Sequence, residues 1–347
     1  MVLQRLRTVL PSSWDVSIQE EPSRPNHASR NRPDALVELL SPDGARAAIV
    51  LEVKNALEPR DVPVAVLKAR EDSSRYSADS ILVGAPYLSA RTRQRLTEWG
   101  ANYADATGNL RLALERPAVY LERPGADKNP WGEERPLRSL KGPAAARVVR
   151  ALCDYRPPVG IRELADRSRA SLASVARVVE FLHREAMLER APRGKVTDVR
   201  WPLLLRYWAR DYSLVESNHV RTFLEPRGLR ALLGKLERTT QRYVITGSLA
   251  AAQVAPVAEP RVAAIHVERA QRAATEWGLR PAESGANVLL VEPFDDVIFE
   301  RGSLRDGIGY AALSQVAADL LTSPGRGPAE GEELIAWMEQ NEDAWRA

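Results

Sequence analysis

Apolar and polar positions alternate along this chain with two different periods, and the change of period divides it. Between Asp34 and Lys54 the period is two. Asp34-Ala35-Leu36-Val37-Glu38-Leu39-Leu40 and Ala47-Ala48-Ile49-Val50-Leu51-Glu52-Val53-Lys54 are apolar runs split by Ser41-Pro42-Asp43-Gly44. Two such runs around a Pro-Asp-Gly turn predict a β-hairpin. Alternation puts Val50, Glu52 and Lys54 on one face of the second strand and Ile49, Leu51 and Val53 on the other. A helical stretch at 61–76, a strand from Ile81, a helix at 89–99 and a short strand near Ala101–Ala104 follow.

Residues 127–142 are polar and rich in Pro and Gly, which predicts a linker. From Pro143 the period becomes helical. Ala146, Val148, Val149 and Leu152 form the apolar side of a first helix, and a second starts at Ile161. Ser168-Arg169-Ala170-Ser171 makes a turn, with Ser171 as N-cap of a third helix. In that helix Leu172, Val175, Val178, Val179 and Leu182 recur at spacings of three and four. Met187 to Val196 predicts two strands around a Pro-Arg-Gly turn. A helical connector over 201–240 leads to a new α/β pattern from 241 to 347. The expectation is an α/β multidomain chain divided into 1–126, a linker at 127–142, then 143–200, 201–240 and 241–347.

Composition supports a folded, multidomain chain. Of 347 residues, 44% are hydrophobic and 27% charged, which argues against wholesale disorder. No run approaches the roughly 18 consecutive apolar residues of a transmembrane span, and no secretory leader is visible. The single cysteine, Cys153, excludes a disulfide framework and a cysteine-rich zinc site, so the expectation is a cytoplasmic protein. Cys153 is expected to pack in the core, and His183 to be a partly exposed helix residue.

The net charge is only +3, so its distribution matters more than its size. Residues 143–200 hold twelve basic and seven acidic side chains, an excess of +5. The basic character is therefore concentrated in the helical segment. Only six of the 49 basic residues are lysines, a bias that suggests a GC-rich bacterial genome. A lysine in this chain is thus an uncommon choice.

Glu52-Val53-Lys54 holds the chain's one acidic-x-Lys triplet, and it closes the strand that follows Pro33-Asp34. This arrangement resembles the PD-(D/E)xK nuclease superfamily, which has a restriction-endonuclease-like fold. The resemblance covers about residues 1–120. It implies a catalytic set of Asp34, Glu52 and Lys54. Asp34 and Glu52 would hold Mg²⁺ or Mn²⁺, and Lys54 would orient or activate the attacking water. Magnesium is a hard cation suited to carboxylate oxygens, and it stabilises charge on phosphoryl oxygens. An upstream acidic contribution falls to Glu20 or Glu21. The loop at 19–33 carries Arg24, Arg30 and Arg32, which could lie beside a nucleic-acid backbone.

Helix, helix, helix and hairpin over 143–200 resemble the winged helix-turn-helix family. That resemblance implies DNA as partner, with the third helix entering the major groove. Arg169, Ser171, Ser174 and Arg177 would face bases, and Arg190, Arg193 and Lys195 on the wing would hold phosphates.

Tyr243-Val244-Ile245-Thr246-Gly247-Ser248 predicts a strand, a turn and a helix start. It looks like the Gly-Ser motif of the nucleotidyltransferase fold, which makes Gly247 and Ser248 a candidate phosphate-binding pair. The next strand offers His266 and Glu268 rather than two carboxylates, a poor hard-metal pair, and Asp295 and Asp296 are adjacent. The expectation is a non-catalytic copy. A winged helix followed by such a domain resembles the AbiEi-like antitoxin and transcriptional-regulator family of type IV toxin–antitoxin systems. The favoured expectation is a Mg²⁺-dependent DNA endonuclease targeted by its winged helix. The alternative is a transcriptional regulator or antitoxin-like repressor without nuclease activity. A toxin or other protein partner and self-association both stay open, and no membrane partner is expected.

Overall fold

The computed structural model describes residues 2–20, 32–131, 139–192 and 194–347, with backbone only for residues 2–5. Glu21, Arg24, Arg30 and Arg193 lie outside the described residues. The chain divides into two compact units, residues 1–135 with 184–186 and residues 136–183 with 187–347.

The first unit contains α1 (Val2–Val9), β1 (Asp15–Glu20), β2 (Ala35–Leu40), β3 (Arg46–Val53), α2 (Val62–Arg75), β4 (Ser80–Ala85), α3 (Ala90–Glu98), β5 (Asn102–Asp105), β6 (Leu110–Leu114) and β7 (Val119–Arg123). The seven strands form one sheet in chain order. β3, β4 and β5 run parallel, and every other neighbour pair is antiparallel. Each parallel step is bridged by a helix, as a crossover between parallel strands requires. The period-two reading of β3 is realised. Ile49 and Leu51 join one core with Leu6 of α1, and Val50 joins the opposite core with Val62, Ala65, Val66 and Ala69 of α2. Glu52 and Lys54 therefore face α2. That helix forms because its buried positions recur every three to four residues, and Pro63 sits in its first turn, where no N–H bond is lost.

The second unit contains α4 (Pro143–Asp154), α5 (Ile161–Ser168), α6 (Leu172–Arg184), β8 (Leu188–Arg190), β9 (Val196–Val199), α7 (Trp201–Trp208), β10 (His219–Leu224), α8 (Leu229–Leu236), β11 (Tyr243–Thr246), α9 (Gly247–Ala251), β12 (Ala263–Val267), α10 (Ala270–Glu276), β13 (Arg280–Pro281), β14 (Val288–Glu292), β15 (Ser303–Arg305), β16 (Ile308–Tyr310), α11 (Leu313–Leu321) and α12 (Gly327–Gln340). Its main sheet has the order β13-β10-β14-β12-β11-β16-β15.

Two expectations need correction here. Residues 201–240 are not a helical connector, because β10 lies inside them and pairs antiparallel with both β13 and β14. The strand escaped notice because it is half-exposed, with only Phe223 fully buried. Nor are 143–200, 201–240 and 241–347 separate bodies. One continuous core runs from Leu140 through Leu152, Leu182 and Trp208 to Ile265 and Met338. Cys153 packs in that core, and burial pushes its thiol pKa up. Among the described residues no helix is long and apolar enough to cross a membrane.

Candidate functional site

In the first unit the end of β3 gathers the residues expected there. Continuing the β2–β3 ladder by one residue sets Asp34 opposite Glu52. Asp34 Oδ2 accepts the Val53 N–H at 2.6 Å, which ties the carboxylate to the strand end. Glu52 is fully buried, so its charge needs partners. Lys54 Nζ donates to its Oε1 at 2.6 Å. A third group, which the sequence reading missed, completes the pairing. Lys68 of α2 spans both carboxylate oxygens, at 2.6 Å from Oε1 and 2.8 Å from Oε2. One helical turn beyond Lys68, Asp72 is buried, with Oδ1 held by Arg75 at 3.3 Å and Oδ2 without a hydrogen-bond partner. Burial raises its pKa above the usual aspartate value, against the attraction of Lys68 and Arg75.

These residues do not fit a divalent cation as they stand. Magnesium asks for near-octahedral oxygen ligation at about 2.0–2.1 Å. Here both Glu52 oxygens already carry ammonium groups. No group of three or more acidic, His or Cys side chains placed to hold a metal occurs among the described residues.

In the second unit, α4, α5, α6 and the β8–β9 hairpin follow one another as expected. A further bridge pairs Val159 with Val196, so the segment between α4 and α5 adds to the hairpin. The turn between α5 and α6 passes through Arg169 at φ +49°, in the left-handed region. Ser171 caps α6, its Oγ accepting the Ser174 N–H at 3.1 Å. Val175, Val178, Val179 and Leu182 are buried as expected, but Leu172 is half exposed. It sits in the first turn, beyond the core that the later positions reach.

The candidate DNA contacts are not equivalent. Ser171 and Arg177 are exposed, Ser174 is half-buried beside them, and Arg177 Nε donates to Ala173 O at 3.3 Å. Lys195 is exposed at the hairpin end. Arg169 and Arg190 already carry acidic partners. Arg169 pairs with Glu300 at 2.8 Å, and Arg190 lies back along α6 onto Glu180 at 2.7 Å. His183 is half-buried, its Nδ1 3.3 Å from the Leu188 carbonyl.

Gly247 adopts φ +65°, which explains glycine at the start of α9. Gly247 and Ser248, the candidate phosphate-binding pair, both sit in the first turn of α9. The helix has five residues, and the Ser248 hydroxyl donates to the carboxylate of buried Glu330. A carboxylate in that place repels an anion. Glu268 is exposed and faces Arg242, while His266 is buried against Asp319 at 3.0 Å. No metal pair forms between His266 and Glu268.

No family model matches the chain, and no curated protein matches it either.

Proposed function

We propose that this protein binds duplex DNA through residues 143–200, acting as a regulator of the antitoxin-like repressor class rather than as a nuclease. The observation that carries this reading is the exposed start of α6. It presents Ser171, Ser174 and Arg177 after a left-handed turn, with the opposite face of the helix buried. The order of three helices and a hairpin, with the Val159–Val196 bridge, supports reading the segment as a winged helix-turn-helix. Such a module reads base edges with the first turns of its third helix. The wing then contacts phosphates without reading sequence.

Fluorescence anisotropy with fragments selected from a random duplex pool tests the proposal. Arg177→Ala is expected to relax preference at one base position, with a loss of about 1–3 kcal/mol for the selected sequence. Lys195→Ala is expected to weaken all sequences alike and to reduce the salt slope by about 1. Full-strength binding by both variants contradicts the assignment.

Metal-dependent DNA cleavage is the second reading. It is favoured by the meeting of Asp34, Glu52 and Lys54 at one strand end. Labelled double-stranded, single-stranded and branched DNA incubated with Mg²⁺, Mn²⁺ or chelator distinguishes the two. Retarded, uncut DNA in every lane is expected. Metal-dependent cutting that Lys54→Ala abolishes establishes the nuclease instead.

A further inference from the structure

We infer that the ammonium group of Lys68 stands in for a divalent cation at Glu52, so that this nuclease-like strand end is held together by the chain's own charges. The position of Lys68 carries the inference. Its Nζ lies within 2.8 Å of both Glu52 oxygens, the two-oxygen approach that a cation makes to a carboxylate. Lys54 adds a second ammonium on Oε1. A metal ion could reach Glu52 only by displacing Lys68, and would then stand beside the cation it had displaced.

The surroundings fit an internal ion pair better than a metal site. Glu52 is fully buried, while Lys54 and Lys68 are each about one-third exposed. The carboxylate is thus withdrawn from water and paired with two ammonium groups. Asp34, the other candidate ligand, has one oxygen committed to the Val53 amide. Asp72 is turned toward Arg75. Two of only six lysines meet on this one carboxylate, in a chain whose other basic residues are mostly arginine. Lysine suits the place because its charge is compact, whereas a planar guanidinium needs a wider approach.

Manganese binding to the full chain, followed by the loss of the free-ion paramagnetic signal, tests this without reference to cleavage. The wild type is expected to take up no Mn²⁺ that Glu52→Gln removes. Lys68→Met is expected to acquire Glu52-dependent Mn²⁺ binding about 10–100-fold tighter than any residual binding by the wild type, the scale on which neighbouring groups tune a metal site. Adding Glu52→Gln to Lys68→Met is expected to abolish the gain. Glu52-dependent binding in the wild type as tight as in Lys68→Met overturns the inference, as does a folded Lys68→Met that gains nothing.

Thermal melting of the wild type gives a second measurement that does not depend on the variant folding. A ligand that binds only the native state raises the melting temperature. Equal melting temperatures in chelator and in excess Mn²⁺ are expected, and a rise that Glu52→Gln removes refutes the substitution of ammonium for metal. Duplex binding by α6 is a separate property, so its failure in anisotropy leaves the manganese result standing.

Discussion

Arg150→Met is expected to destabilise the second unit by about 3–5 kcal/mol, the cost of breaking a buried charge network from one side. Arg150 is fully buried on α4, and all five of its N–H groups are used. Nε donates to Ser314 Oγ at 2.9 Å. One terminal nitrogen donates to Gln315 Oε1 at 2.8 Å and the Val297 carbonyl at 3.3 Å. The other donates to Asp154 Oδ2 and the Glu300 carbonyl, both at 3.2 Å. Burial pulls its pKa below the ordinary arginine value, and Asp154 opposes that pull. Methionine fills much of the volume but leaves the Glu300 carbonyl and the buried Gln315 amide oxygen without their Arg150 donor, and Asp154 without one of its two arginines; unmet groups of this kind dominate the cost. Calorimetry is expected to show the midpoint falling by on the order of 10 °C for a unit of this size. Arg156→Met is the control. Its pair with Asp343 is exposed, and such pairs contribute about 0–1 kcal/mol. Similar shifts for the two variants would show that the network does not hold α4 to α11 and to the segment 297–300.

The same network explains which parts of the molecule were legible in the sequence. Local patterns were. The hairpin of β2 and β3 follows from period two, and Glu52 faces α2 as alternation requires. The order α4, α5, α6 and hairpin follows from apolar spacing and from the Ser171 cap. What lay beyond reach depended on distant partners. Lys68 stands 16 residues from Glu52 and meets it only when α2 packs on the sheet. Its rarity as a lysine was the one available signal. Arg169 and Arg190 looked like free DNA contacts, yet Glu300, 131 residues away, and Glu180 on α6 engage them. β10 was absorbed into a helical reading because one buried position in six leaves little period to detect. Arg147 and Arg169 counted toward the basic excess, but Asp295 and Glu300, both outside 143–200, answer them inside the unit. A charge count along the chain therefore overstates the cation available to DNA, which leaves Arg177 and Lys195 as the sharper tests.

Asp319→Asn carries the other large expected effect, and pH reveals its origin. Asp319 is fully buried on α11. Its Oδ1 accepts Tyr212 Oη at 2.5 Å and Gln315 Nε2 at 2.8 Å, and its Oδ2 accepts Thr246 Oγ1 at 2.5 Å and contacts His266 Nε2 at 3.0 Å. Burial alone pushes this carboxyl pKa up. Attraction to His266 and the hydrogen bonds from His266, Thr246 and Tyr212 outweigh it, so the pKa lies below the ordinary aspartate value. Unfolded aspartate titrates near about 3.9. Above that pH both states are ionised and the stabilisation is complete. As pH falls through the unfolded value toward the lower folded one, the unfolded state takes up the proton first, and the stabilisation is lost. Asparagine keeps the shape but offers one acceptor and adds a donor among donors. The variant is expected to be less stable by about 3–5 kcal/mol at neutral pH, as when a buried charge loses its partners. That gap is expected to narrow as pH drops below about 4, where the wild type forfeits its advantage and the variant has none to lose. Denaturant unfolding of both proteins along that acid limb measures the gap directly, because the other carboxylates titrate alike in each. A gap that stays constant as the pH falls would mean that Asp319 contributes packing rather than charge.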